Sequence, residues 1–342
     1  MSRPTPRPAR PAARLLPVVG ALAVALVAGG CGTATDALVG IEPAPAERTA
    51  AAPLDTDGAT AIATRLLTAA EAPADGDAAA QKAARARTFT GDALTLAEAR
   101  AARKAQPPTG TALVTGPTPK VLAQSQGRAW PRAILATSLD ADDNTQYLHV
   151  LLSEQPDEAF RIAATVPMFA GAQLPAVGSA SEGAPLLDTG SKEGLAASPE
   201  AVLKAWAGAL AYPKPRPTKV VDVTDPFAEG LTRAAAGQAK ALGKLATLSQ
   251  VHSPQLEHAL TFRLADGGAV TFALVKRTDT ITLKPTAKEL VLPKEYADVV
   301  GKAKVTRSMK LENLEAVAVV VPESGAASVI GASELLVSGT GR

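Results

Sequence analysis

The chain has 342 residues, 46% of them hydrophobic, and a formal charge of +2. Four of its 35 basic residues and none of its 33 acids lie in the first 30 positions, so the remainder carries 31 basic against 33 acidic residues, a net −2. That balance, with no basic run and only 3% aromatic side chains, excludes an electrostatic or base-stacking surface for nucleic acid. A single cysteine excludes a disulfide within the chain.

The first predicted element is RLLPVVGALAVALVAGGC, Arg14 to Cys31. Arg3, Arg7, Arg10 and Arg14 precede or begin it, an apolar run follows to Ala28, and two glycines come before the cysteine. A basic region, a short apolar region and small residues before a cut site make an export signal. The run falls short of the about 20 apolar residues that span a bilayer. Ala28, Gly29, Gly30 and Cys31 resemble the lipobox of bacterial lipoproteins, although Ala28 stands where leucine is usual. The resemblance implies a diacylglyceryl thioether on Cys31 and cleavage before it, which anchors the chain to a membrane. An ordinary secretory signal cut near Ala28, or an uncleaved anchor, are the alternatives.

Residues 1–30 are therefore expected to be a signal peptide and 31–57 a flexible tether, small, polar and proline-spaced. Stretched out, about 26 residues reach roughly 85 Å. A first α+β domain is expected over 58–178. Helical spacing runs from Ala59 to Ala72, with Ile62, Leu66, Leu67 and Ala70 on one face, then from Ala78 to Arg87 and Ala93 to Ala105. Strands are expected at Val121–Gln126, Arg132–Leu139, Tyr147–Ser153 and Ala159–Pro167, the middle two forming a hairpin around DADDNTQ. Residues 179–198 read as a linker, and a second α+β domain fills 199–342. It opens on a helix capped by Ser198-Pro199-Glu200, and a second helix follows Pro226.

From Thr247 the first half recurs in outline. TLSQVHSPQLEHALTFRL-ADGG-AVTFALVKRTDTITL aligns with VLAQSQGRAWPRAILATSL-DADDNTQ-YLHVLLSEQPDEAFRIAATV, each predicting a short strand, a hairpin and a third strand. Helices followed by an antiparallel sheet, twice over, argue for α+β. That element order resembles the nuclear transport factor 2-like fold, in which helices pack on a bent sheet to form a cone. The whole layout is similar to duplicated-domain lipoproteins of actinobacteria. Catalytic members of the fold place an acid or a His–Asp pair inside the cone, but no such pair maps onto this sequence.

Few residues point to chemistry. His149 shares a strand face with Tyr147 and Leu151, and His258 is in phase with Leu256 and Phe262, whereas His252 is expected in a turn before Pro254. Each sheet histidine is read either as a general base in a cone or as a structural histidine bonded to a neighbour, and the second is the expectation. Trp130 is read as core, or as lining a cavity; Trp206 as core. His149, His258 and Trp130 are thus the speculative pocket residues. Asp140, Asp142 and Asn144 begin like a calcium loop, but Thr145 replaces the turn glycine and Leu151 the bidentate glutamate. Gly237 to Lys244 lacks phosphate-loop spacing and reads as helix.

No catalytic residue, metal or cofactor is expected. The sequence reads as a lipid-anchored protein on the outer face of the cytoplasmic membrane, a non-enzymatic binding or scaffolding module with the membrane and an envelope protein or small ligand as partners. The alternative is a hydrolase or isomerase, which would hold a histidine or acid of shifted pKa in a pocket. A solute-binding lipoprotein is the third reading, opposed by the lack of repeated βαβ patterning.

Overall fold

A computed structural model of the protein describes residues 51–342 apart from 73–74, 103–117, 141–143 and 180. The signal segment, Ala28, Gly29, Gly30 and Cys31, and the tether up to residue 50 lie outside the described residues. So do Asp142 and Asp143. The described part belongs to one compact unit, Arg48–Arg342. No helix among the described residues is long and apolar enough to cross a membrane.

The class is α+β. Three helices come first: α1 (Thr56–Glu71), α2 (Ala78–Thr88) and α3 (Gly91–Ala102). Asp55 and Asp77 cap the first two, accepting from Gly58 N at 2.6 Å and Ala80 N at 2.8 Å. A four-stranded antiparallel meander follows, β1 (Lys120–Gln124), β2 (Arg132–Leu139), β3 (Gln146–Ser153) and β4 (Arg161–Pro167). Short β5 (Leu186–Leu187) leads to α4 (Pro199–Ala209) and α5 (Pro226–Leu242). Four long or paired elements complete the chain: β6 (Ala246–Arg263), β7 (Ala269–Leu283), β10 (Ser308–Val321) and β11 (Ser328–Gly341). Between β7 and β10 lie the small pair β8 (Leu290–Val291) and β9 (Lys304–Val305), with α6 (Lys294–Val300) between them. The second sheet is ordered β11-β10-β7-β6-β5.

The layers follow from which faces are apolar. On β2 and β3, Ala133, Leu135, Leu148, Val150 and Leu152 point one way, into a core completed by Phe262, Phe272, Leu274, Leu314 and Val320 of the second sheet. Ile134, Ala136 and Leu151 point the other way, onto Ala63, Leu66, Leu67 and Ala93 of the first helices. The second sheet likewise buries Ala273, Val275, Val317 and Val319 against Val202, Leu203, Trp206 and Leu231 of α4 and α5. The result is helices, sheet, sheet, helices. Strands buried on both faces read as unbroken apolar runs, as RAILAT and YLHVLL do. The two sheets meet closely where Gly331 of β11 bridges Met168 and where the Phe169 N–H donates to the Ile330 carbonyl at 2.9 Å. A side chain at Gly331 would collide with the Pro167 carbonyl oxygen.

Several expectations are corrected here. The strands expected as short pieces in the second half are long: β6 spans 18 residues and β10 spans 14. His252 is not in a turn but inside β6, paired with Arg277. Pro254 is tolerated because β6 is the sheet edge there, β5 pairing only with Thr261 and Phe262. Residues 51–57 are tied to the body: Ala52 N donates to Ser181 O at 3.1 Å and Gly127 N to Ala51 O at 2.9 Å. The segment 179–198 is built in as well, with Ala184 and Leu195 buried and Ala184 N bonded to Gln124 O at 2.7 Å. The core common to both sheets thus crosses the expected boundary between 58–178 and 199–342.

Candidate functional site

The ladder between β6 and β7 slips between Gln255 and Leu260. The slip frees Leu256 to Ala259 from pairing and pushes them toward the start of α3. There Thr90 is fastened to β4, its N–H donating to the Ile162 carbonyl at 2.9 Å. Gly91 takes φ +51°, and a Cβ there would lie 3.3 Å from the His258 ring. Glycine lets the histidine lie flat against the backbone, in a conformation other residues rarely adopt.

Between these parts is a groove of about 300 Å³. Thr90, Pro131, Leu152 and Ala163 line it from the first half, Glu257, His258 and Leu260 from the second. Across Pro131 lies a second cavity of about 350 Å³, lined by Trp130, Ser125, Gln126 and Leu186. The Trp130 ring carries the Arg132 guanidinium 3.8 Å from its centre, and its Nε1 lies 3.4 Å from Ser153 Oγ.

Beside His258 sits Asp92, buried in the first turn of α3. Burial lifts its carboxyl from an ordinary 3.8 to about 6, while His258 and the Leu274 backbone N–H pull it down and Glu257 pushes it up. Asp92 does not itself line the groove; it lies behind Gly91, beside the lining residues Glu257 and His258.

His149 lies elsewhere. It is fully buried on the helix-facing side of the first sheet, stacked on Tyr147 at 6.3 Å. Ser138 Oγ is 2.8 Å from its Nε2 and Thr165 Oγ1 3.2 Å from its Nδ1. Burial lowers its pKa to about 3, so the ring is neutral, donating through one nitrogen and accepting through the other. It is a satisfied core histidine. Trp130 and His258 are therefore brought to neighbouring cavities, and His149 is not.

The sequence reading missed a polar belt on the helix-facing side of the second sheet. Arg277 Nη1 lies 3.1 Å from Glu315 Oε1 and 2.6 Å from Glu334 Oε2, and Arg277 Nε lies 3.2 Å from Asp279. His252 Nδ1 is 3.0 Å from Glu315 Oε2, with both side chains fully buried. A carboxylate only accepts, so Nδ1 carries the proton; Nε2 finds no partner among the described residues. Trp206 meets the His252 ring edge-on at 6.3 Å. Burial raises Asp279 against the pull of Arg277. No group of three or more His, Cys, Asp or Glu among the described residues is arranged to hold a metal.

The fold and its cleft define a two-sheet α+β protein with a groove where its halves meet. Residues 123–341 match the family described as a domain of unknown function, DUF8094, and the chain belongs to that family. The match starts within β1 and runs through β11, so a single family model takes in both sheets. No curated protein matches the chain, and no solved structure does.

Proposed function

We propose that this is a bacterial envelope lipoprotein, anchored by Cys31 to the outer face of the cytoplasmic membrane, which acts as a non-enzymatic binding or scaffolding module through the groove at His258. The observation that carries the anchor is the lone cysteine closing an arginine-preceded apolar run. Two acyl chains hold a protein at a bilayer where one is marginal. We read the two halves as tandem nuclear transport factor 2-like units. What supports this is the recurrence of helices ahead of a four-stranded antiparallel meander, β1 to β4 and then β6, β7, β10 and β11, each covered by its own helices.

Intact-mass analysis of the membrane fraction, beside Cys31→Ala, tests the anchor. A cleaved, diacylated wild type and an unprocessed or soluble variant are expected. An unacylated, freely released wild type overturns it.

One observation favours an enzyme as the second reading. Asp92, a buried carboxyl raised to about 6, lies beside His258, which lines a cavity. It sits between the halves and not within a cone.

A further inference from the structure

We propose that the groove at His258 takes a small organic cation, a protonated amine on a compact apolar body. This rests on the reading of that groove as the ligand seat, and it names the chemistry the seat selects.

The wall supplies the apolar contact: Pro131, Leu152, Ala163 and Leu260. At about 300 Å³ the groove is at the small end of ligand clefts. Its charged lining residues among those described are Glu154 and Glu257, with no lysine or arginine beside them. Asp92 adds a third carboxyl, buried behind Gly91 and within electrostatic reach of Glu257 and His258. Glu154 pairs with Arg161, whose Nη2 makes its shorter contact to Glu158 at 3.2 Å and its longer one to Glu154 at 3.5 Å. Glu257 has no such partner among the ion pairs of the described residues, and it is exposed. The neighbouring cavity offers no equivalent seat, because Arg132 already covers the Trp130 ring as an internal cation. An ammonium that reaches Glu257 while its apolar body lies on Leu152 and Leu260 meets a carboxylate with no ion-pair partner among the described residues.

The chain has three histidines, which makes the groove readable. His258 is exposed, while His149 and His252 are buried and report folding. The full chain, labelled with ¹³C-histidine, is titrated by NMR at pH 7.5 with benzylamine, benzyl alcohol and benzoate. Benzylamine is expected to move the His258 signal saturably and leave His149 and His252 in place. Glu257→Gln, a surface change, is expected to weaken benzylamine roughly fivefold, the worth of one exposed ion pair. If benzyl alcohol or benzoate binds as well as benzylamine, or if Glu257→Gln changes nothing, the cation is refuted while the seat stands. If none of the three moves His258, the seat itself is refuted.

Discussion

Asp92 and His149 have displaced pKa values of opposite consequence. Asp92 rises from 3.8 to about 6, so the folded state holds its proton more tightly than the unfolded chain. Its contribution is fully present below pH 3.8 and is lost as pH climbs through 6, a penalty of about 3 kcal/mol at neutrality. His149 falls from 6.5 to about 3, because burial opposes its charge. Its neutral form supports the fold above pH 6.5, and that support drains away as pH drops toward 3, roughly 5 kcal/mol in all. Between pH 4 and 6 the two slopes cancel. Asp92→Asn keeps an acceptor for the Leu274 N–H and removes the titration. Urea unfolding should show it more stable than wild type at pH 7 by up to about 3 kcal/mol, then declining with the slope of one proton per pH unit from 6 to 4. A variant whose stability parallels wild type across that range would disprove the assignment. The polar belt gives a sharper contrast. Glu315→Ala leaves Arg277 and His252 buried without their shared carboxylate, a loss of about 3–5 kcal/mol. Lys276→Ala, which removes a partly exposed pair with Glu312 at 3.1 Å, should cost under about 1 kcal/mol by the same measurement.

Strand polarity shows why the second half was harder to read than the first. β2 was legible from Arg132 to Leu139 because both of its faces are apolar, and helices α1 to α5 were legible within a few residues from spacing and caps. In β7 the alternation is real, but its sense is inverted. Arg277 and Asp279 are buried under helices while Thr278 and Thr280 face outward, partly exposed. A period of two says that faces differ and not which is inside. In β10, Asn313 and Glu315 interrupt the apolar run of the sequence, yet they belong to the same inward belt. His258 and Trp130 could be found from sequence as polar or aromatic residues in apolar strands. Asp92 could not, since its raised pKa comes from burial in the folded chain, and the groups that adjust it, His258, Glu257 and the Leu274 N–H, lie about 165 to 180 residues away. The junction of the sheets carries its own test. Gly331→Ala puts a methyl group against the Pro167 carbonyl and 3.1 Å from Met168 Cα. Backbone cannot yield as a side chain does, so a loss of about 1–3 kcal/mol is expected in thermal or urea unfolding. A neutral result would mean that β4 and β11 are free to separate.

At the scale of the molecule, the deciding feature is the core between the sheets. Leu135, Leu148 and Val150 of the first sheet pack with Phe262, Phe272 and Leu274 of the second, and Ala184 of the intervening segment joins them. Each half therefore keeps its helices on one face and depends on the other half to cover the opposite face. Separating them would expose an apolar sheet face far larger than a soluble monomer ordinarily shows. The duplication proposed above fits the single compact unit only if the two halves act as one folding unit. Tryptophan placement allows a direct test. Trp130 reports on the first half and Trp206, fully buried, on the second. In Trp206→Phe the remaining fluorescence comes from the first half, and in Trp130→Phe from the second. Within each variant, fluorescence and far-ultraviolet circular dichroism should trace one urea curve, because coincident transitions mark two-state behaviour. If the halves are independent domains, fluorescence in at least one variant will depart from the dichroism. The groove at His258 would then lie on a mobile boundary, and its walls could not hold a ligand at fixed geometry.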